Sequence, residues 1–223
     1  MKKSLRNRLI IGIFLLILSA VLAVFAHSVP YFPGDLQSMR FIQRLSNPFL
    51  TSFMVIVSDG FTGIPAVVLA IAFVLIIWWR LGMMEAILMA ITGVLSPIAN
   101  LFKLVIEQPR PPTTLVDIII PIGGLGFPSG HAYFAAMTLG MLIYFVLHNV
   151  SSRPLKVSLV LVFTFIILLV GYSRIYLGDH WLSEVIESYF IAGGFLLLLT
   201  VFYEQIKESR MRRQKVLKTQ RGL

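Results

Sequence analysis

The sequence predicts an all-α membrane protein: six transmembrane helices with an interfacial helical segment on the extracytoplasmic side. Three observations carry this prediction. Of the 223 residues, 57% are hydrophobic and 13% charged, about half the charge of an ordinary soluble domain. Apolar runs recur at roughly the 18–20 residues that cross a hydrocarbon core as a helix. Backbone groups in hydrocarbon must bond within their own segment, and runs of this length suit helices rather than barrel strands.

The elements follow in order. Residues 9–26 form an apolar run behind a basic start, and Val24-Phe25-Ala26 has some likeness to a cleavage site. The run's 18 residues exceed a typical signal-peptide core, so a retained membrane helix is expected. Residues 28–58 are broken by Pro30, Pro33, Gly34 and Pro48 and are expected not to cross. Within them Leu36, Met39, Ile42 and Leu45 recur with Arg40 and Arg44 off the stripe, which suits a helix lying in the interface. The second span is expected over 62–79, closed by Trp78, Trp79 and Arg80. The third runs over 84–106, with a kink at Pro97 and Asn100. A loop rich in proline and glycine covers 107–127. The fourth, fifth and sixth spans are expected over 129–148, 156–172 and 181–203, and the basic tail as a frayed helix at the membrane surface. The short links imply a single domain over residues 1–223.

A net charge of +9 raises the question of nucleic acid, but the distribution argues against it. With the N-terminus inside, cytoplasmic segments hold 14 of the 19 lysines and arginines: four at the start, Arg80, Arg153, Lys156 and seven in the tail. This pattern sets both termini in the cytoplasm of a multi-pass cell-membrane protein and favours anionic lipid contact. The chain has no cysteine, which excludes disulfides, thiolate chemistry and cysteine–zinc sites.

The outer side keeps Arg40, Arg44, Lys103, Arg110 and Arg174, and three of these five fall in polar stretches at the ends of apolar spans. Lys103 lies one turn from the end of the third span. Alone it would be read as a side chain snorkelling to water, but Arg110-Pro111 fixes a second cation nearby, and guanidinium grips phosphate bidentately. Pro128-Ser129-Gly130-His131 opens the fourth span. Ser129 is a good N-cap, and a helix start also offers free N–H groups and a positive dipole end to an anion. Gly130 lets backbone approach such an anion closely, and His131 is costly near hydrocarbon unless it faces the bundle interior.

In the third stretch Arg174 ends the fifth span, and His180 and Glu184 stand four apart at the start of the sixth. That spacing puts imidazole and carboxylate on one helical face. A carboxylate on one ring nitrogen fixes the tautomer and frees the other as a nucleophile. The plainer alternative is an acid stabilised by the helix dipole beside an interfacial histidine. Glu187, on a similar face one turn deeper, is either a supporting residue or a partner of Lys103. His27, Asp59 and His148 need no function.

Lys103-x6-Arg110-Pro111, Pro128-Ser129-Gly130-His131 and Ser173-Arg174-x5-His180-x3-Glu184 resemble, in order and spacing, the three signature motifs of the type 2 phosphatidic acid phosphatase superfamily. Within it, size and topology resemble the bacterial phosphatidylglycerophosphate phosphatases and undecaprenyl pyrophosphate phosphatases. The resemblance implies hydrolysis of a lipid phosphomonoester or pyrophosphate without metal or cofactor. His180 attacks phosphorus and becomes a phosphohistidine, and Glu184 orients it. His131 protonates the leaving oxygen and then activates water. Lys103, Arg110, Ser129, Gly130 and Arg174 hold the phosphoryl oxygens. The family usually carries Asp where this chain has Glu184, one methylene longer. The implied partners are a lipid phosphate substrate and membrane lipids, with no nucleic acid and no obligatory protein partner. The scheme needs neutral His180 and protonated His131 together, hence a bell-shaped pH profile. The apolar loop 115–122 is expected near the substrate entrance. Two other readings remain at this point: a lipid phosphotransferase using the same histidine, and a non-catalytic anion-binding or permeation protein.

Overall fold

The computed structural model describes residues 3–121 and 123–220; Ile122, and Lys2 and Arg221 of the basic flanks, lie outside them. The described residues form helices α1 Lys3–Ser28, α2 Asp35–Gln43, α3 Pro48–Asp59, α4 Gly63–Leu81, α5 Met83–Val94, α6 Ile98–Ile106, α7 Gly130–Asn149, α8 Arg153–Tyr176 and α9 Leu182–Gln220. Six stretches are long and apolar enough to cross a bilayer: α1, α4, α5 with α6, α7, α8 and the Leu182–Gln214 part of α9. The protein is therefore an all-α, multi-pass membrane protein.

The centre of the bundle is α7. Of its spanning stretch 67% is buried, against 11% for α4 and for α8, and it packs on α5, α8 and α9. Its Tyr133, Met137, Leu139 and Met141 are buried. The outward faces of α1, α4 and α8 carry exposed Phe14, Ile17, Val68, Ile76, Phe165 and Leu168, the surface expected against lipid tails. The third span breaks into α5 and α6 around Pro97, where the missing N–H interrupts the helical ladder.

Two regions differ from the sequence expectation. Residues 28–58 hold two helices, not one. Pro48 is a first-turn residue of α3, and the Asn47 side chain accepts the Leu50 N–H at 2.9 Å, so the residue read as a breaker starts a helix. The basic tail, expected as a frayed helix, is continuous with the last span: α9 runs unbroken for 39 residues to Gln220.

The described part of loop 115–122 does not border the large cleft discussed below. Arg40 on α2 donates to the Leu115 carbonyl at 3.0 and 3.1 Å, Gln43 donates to the Asp117 carbonyl at 2.6 Å, and the Ile119 N–H reaches Leu177 at 3.0 Å. The loop is thereby tied across α2 and the end of α8. Gly178, at φ +82°, turns the chain beneath it, where a Cβ would stand 2.2 Å from the Asp117 carbonyl oxygen, so only glycine fits there.

Candidate active site

The polar stretches meet at one end of the bundle. α6 supplies Lys103, the following loop Arg110, and the start of α7 Ser129, Gly130 and His131. The end of α8 supplies Arg174, the α8–α9 link His180, and α9 Glu184. A cleft of about 710 Å³ is bordered there by Lys103, Arg110, Gly130, His131 and His180. Away from these residues it runs between α4 and α5, past Val67, Ile71, Val74, Met89 and Val94.

His180 is held at both ring nitrogens. Nδ1 lies 2.6 Å from Glu184 Oε2, and Nε2 lies 3.3 Å from the Arg110 guanidinium, which also donates to the Asp179 carbonyl at 2.9 Å. The tautomer with its proton on Nδ1 satisfies both contacts and leaves a lone pair on Nε2. Burial, and then the charges of Arg110, Arg174, Lys103 and His131, hold the His180 pKa well below the usual imidazole value, which favours the neutral ring. Glu184 also accepts the Trp181 N–H at 3.2 Å, which fixes the carboxylate at the mouth of α9.

The cations are arranged in two layers. Lys103 and Arg110 border the cleft, and Lys103 donates to the Leu125 carbonyl at 3.1 Å. Burial lowers the Arg110 pKa, with Asp179 and Glu184 acting against it, and its guanidinium stays charged. Arg174 lies behind, 1% exposed, paired with Asp179 at 2.6 Å and donating to Ser58. Burial pushes the Asp179 carboxyl up, against the pull of Arg174 and Arg110. Arg110 Nε, Arg174 Nε and Ser129 Oγ are buried without a hydrogen-bond partner among the described residues. Orphan donors of this kind mark a place made for an acceptor.

Every residue singled out in the three motifs is thus found at this end of the bundle. Ser129 does not form the side-chain cap its type suggests. Glu187 pairs with Ser19 of α1, not with Lys103. Sequence reading missed three supporting groups. Asp179 and Ser58 secure Arg174. Asp35 accepts the Ser183 N–H at 2.9 Å and its hydroxyl at 2.6 Å, pinning the start of α9. The one available signal was an acid directly before His180. Among the described residues no three His, Asp or Glu side chains gather as a metal centre requires.

A helical membrane bundle in which a carboxylate-backed histidine borders a basic, half-apolar cleft defines the class. The chain belongs to the PAP2 superfamily, whose profile matches residues 77–208. Phosphatidylglycerophosphatase B of Bacillus subtilis (strain 168) is 31% identical over 87 residues, 39% of this chain and 43% of that relative, so the match spans less than half of its length. Two solved structures share the fold. The transmembrane PAP2 type phosphatidylglycerolphosphate phosphatase of Bacillus subtilis superposes with a TM-score of 0.75 at 20% identity, over 87% of this chain and 96% of that one. LpxE of Aquifex aeolicus gives a TM-score of 0.60 at 20% identity, over 76% and 98%.

Proposed function

We propose that this chain is a membrane lipid phosphatase acting on a lipid phosphomonoester or pyrophosphate through a phosphohistidine on His180. One observation carries the reading. A single cleft joins two imidazoles and two cations at one end to an apolar wall along the rest. A phosphate carried on a long apolar chain has the same two-part chemistry, and the volume is in the range of ligand sites. The Bacillus subtilis relatives are named for phosphatidylglycerophosphate, which supports that lipid as the first candidate, with undecaprenyl pyrophosphate as the second.

In this scheme Lys103, Arg110, Ser129 and the N–H groups at the start of α7 hold the phosphoryl oxygens, and Arg174 adds its charge from behind. His180 Nε2 forms a bond to phosphorus as the bond to the lipid oxygen breaks, and His131 gives that oxygen a proton. Glu184 holds the Nδ1 proton and steadies the ring as it becomes positive. His131 then takes a proton from water, water oxygen bonds to phosphorus, and the P–N bond breaks to restore His180. Positioning and charge stabilisation are the main requirements of phosphoryl transfer, and no metal enters the scheme. The distribution of lysine and arginine supports cytoplasmic termini and an extracytoplasmic site.

The test is phosphate release from phosphatidylglycerophosphate, undecaprenyl pyrophosphate and phosphatidate in detergent with EDTA present. Release from at least one, lost in His180→Ala, is expected. No release from any, or loss of release on adding EDTA, contradicts the reading. Labelled acceptor in place of free phosphate points to a phosphotransferase.

A further inference from the structure

We propose that Gly126 is a positioning residue that makes room for a glutamate, in place of a shorter acid, behind the nucleophile; this rests on the reading of His180 and Glu184 just given. Glu184 is fully buried, with Oε2 committed to His180 and the Trp181 N–H. Its other oxygen, Oε1, has no hydrogen-bond partner among the described residues. That oxygen rests against Gly126: a Cβ on residue 126 would stand 2.2 Å from Oε1, 2.9 Å from Cδ and 3.0 Å from Oε2. The extra length of the glutamate therefore occupies the volume that any side chain at 126 would need. The φ of Gly126 is not among the positive values, so space and not backbone conformation demands glycine here.

Neither partner has an easy retreat. The Gly126 N–H donates to the Gln108 carbonyl at 2.9 Å, and next to it Leu125 bridges to Pro109 and accepts from Lys103. Moving the 126 backbone drags the Lys103 and Arg110 side of the cleft in one direction and the 128–131 turn in the other. Moving Glu184 breaks its 2.6 Å contact with His180. A methyl at 126 thus acts on the nucleophile through Glu184, and a shorter acid relieves it.

The experiment is a double-mutant cycle with Gly126→Ala and Glu184→Asp, read by phosphate release from dioctanoyl phosphatidate in detergent and by Tm. Each single variant is expected to lose at least about tenfold in kcat, the first by collision and the second by falling short of Nδ1. The pair is expected to exceed Gly126→Ala alone by about tenfold, the coupling typical of residues in contact. Gly126→Ala is also expected to move the acid limb of the pH profile, and Glu184→Asp to move it back. Losses that simply multiply, or a fully active Gly126→Ala, overturn the proposal. If Gly126→Ala is too unstable to assay, its Tm must recover in the double variant; absence of recovery overturns the proposal too. If the wild-type chain releases no phosphate from this lipid, the cycle is read with whichever of the three lipids named above it does hydrolyse; no release from any of them counts against the phosphatase reading, and the Tm cycle then tests the Gly126–Glu184 contact separately.

Discussion

Two ends of the same bundle carry similar side chains and use them differently. At the end away from the cleft, Glu204 takes Arg8 at 2.8 Å, the Tyr144 hydroxyl at 3.0 Å and His148 at 3.8 Å, while Glu85 takes the Tyr203 hydroxyl and Lys207 at 3.7 Å. At the cleft end, Glu184 takes His180, and Asp179 takes Arg174. α7, 20 residues long, separates the two by roughly 30 Å. His148 is 46% exposed in its side chain and His180 1%. The far cluster is partly exposed and finds its partners within the chain, so it ties α1, α5, α7 and α9 together. The near cluster is buried and leaves Arg110 Nε, Arg174 Nε and Ser129 Oγ unanswered. Leftover donors in a dry place, not the residue types themselves, separate a site from a brace.

That contrast can be broken at several points. His180→Ala is expected to remove at least about a thousandfold of turnover, because the nucleophile is lost; His148→Ala, measured alongside, is expected to stay within about twofold. Equal losses in the two erase the distinction. Arg174→Lys is expected to lose about ten- to a hundredfold, since a point charge cannot serve Asp179 and Ser58 together as the planar fork does. The pH profile sharpens the comparison further. The His180 pKa is lowered, so the neutral ring survives as pH falls through the ordinary imidazole range, and the nucleophile is lost only below it. The acid limb of kcat/KM is therefore expected below about pH 6.5, the unperturbed value. Arg110→Gln removes the largest of the charges lowering that pKa, and its acid limb is expected to move upward. The smallest effect is expected for Glu204→Gln. Its partners are partly hydrated, exposed pairs contribute about 0–1 kcal/mol, and Tm should fall by no more than about a few degrees with turnover unchanged.

The spans were legible because each lipid-crossing helix needs about 20 apolar residues in a row, and such a run stands out in any window. The break at Pro97 was legible for an equally local reason. α3 was not: its 12 residues are too few to span, and the proline that starts it reads as a stop. The basic tail was expected as helix, but its unbroken continuity with the last span was not legible, because its polar residues carry no apolar stripe. The motif residues could be found because four positions are few enough for His180 and Glu184 to meet at the start of α9, although His180 lies in the link before the helix and not on its face. Asp35 and Ser183 lie 148 positions apart, and nothing local in either announces the other. The apolar letters of loop 115–122 suggested an entrance, but its described residues are fastened over α2 and the end of α8 and do not border the cleft. Glu187 could have turned toward Lys103 or elsewhere, and only packing chose Ser19 of α1.

The most direct measurement is acid-stop trapping of the enzyme during turnover of a lipid substrate labelled with radioactive phosphorus. The account predicts label on the peptide containing His180, stable to alkali and lost in mild acid, and none in His180→Ala. Label on any other residue, or normal turnover by His180→Ala, contradicts it.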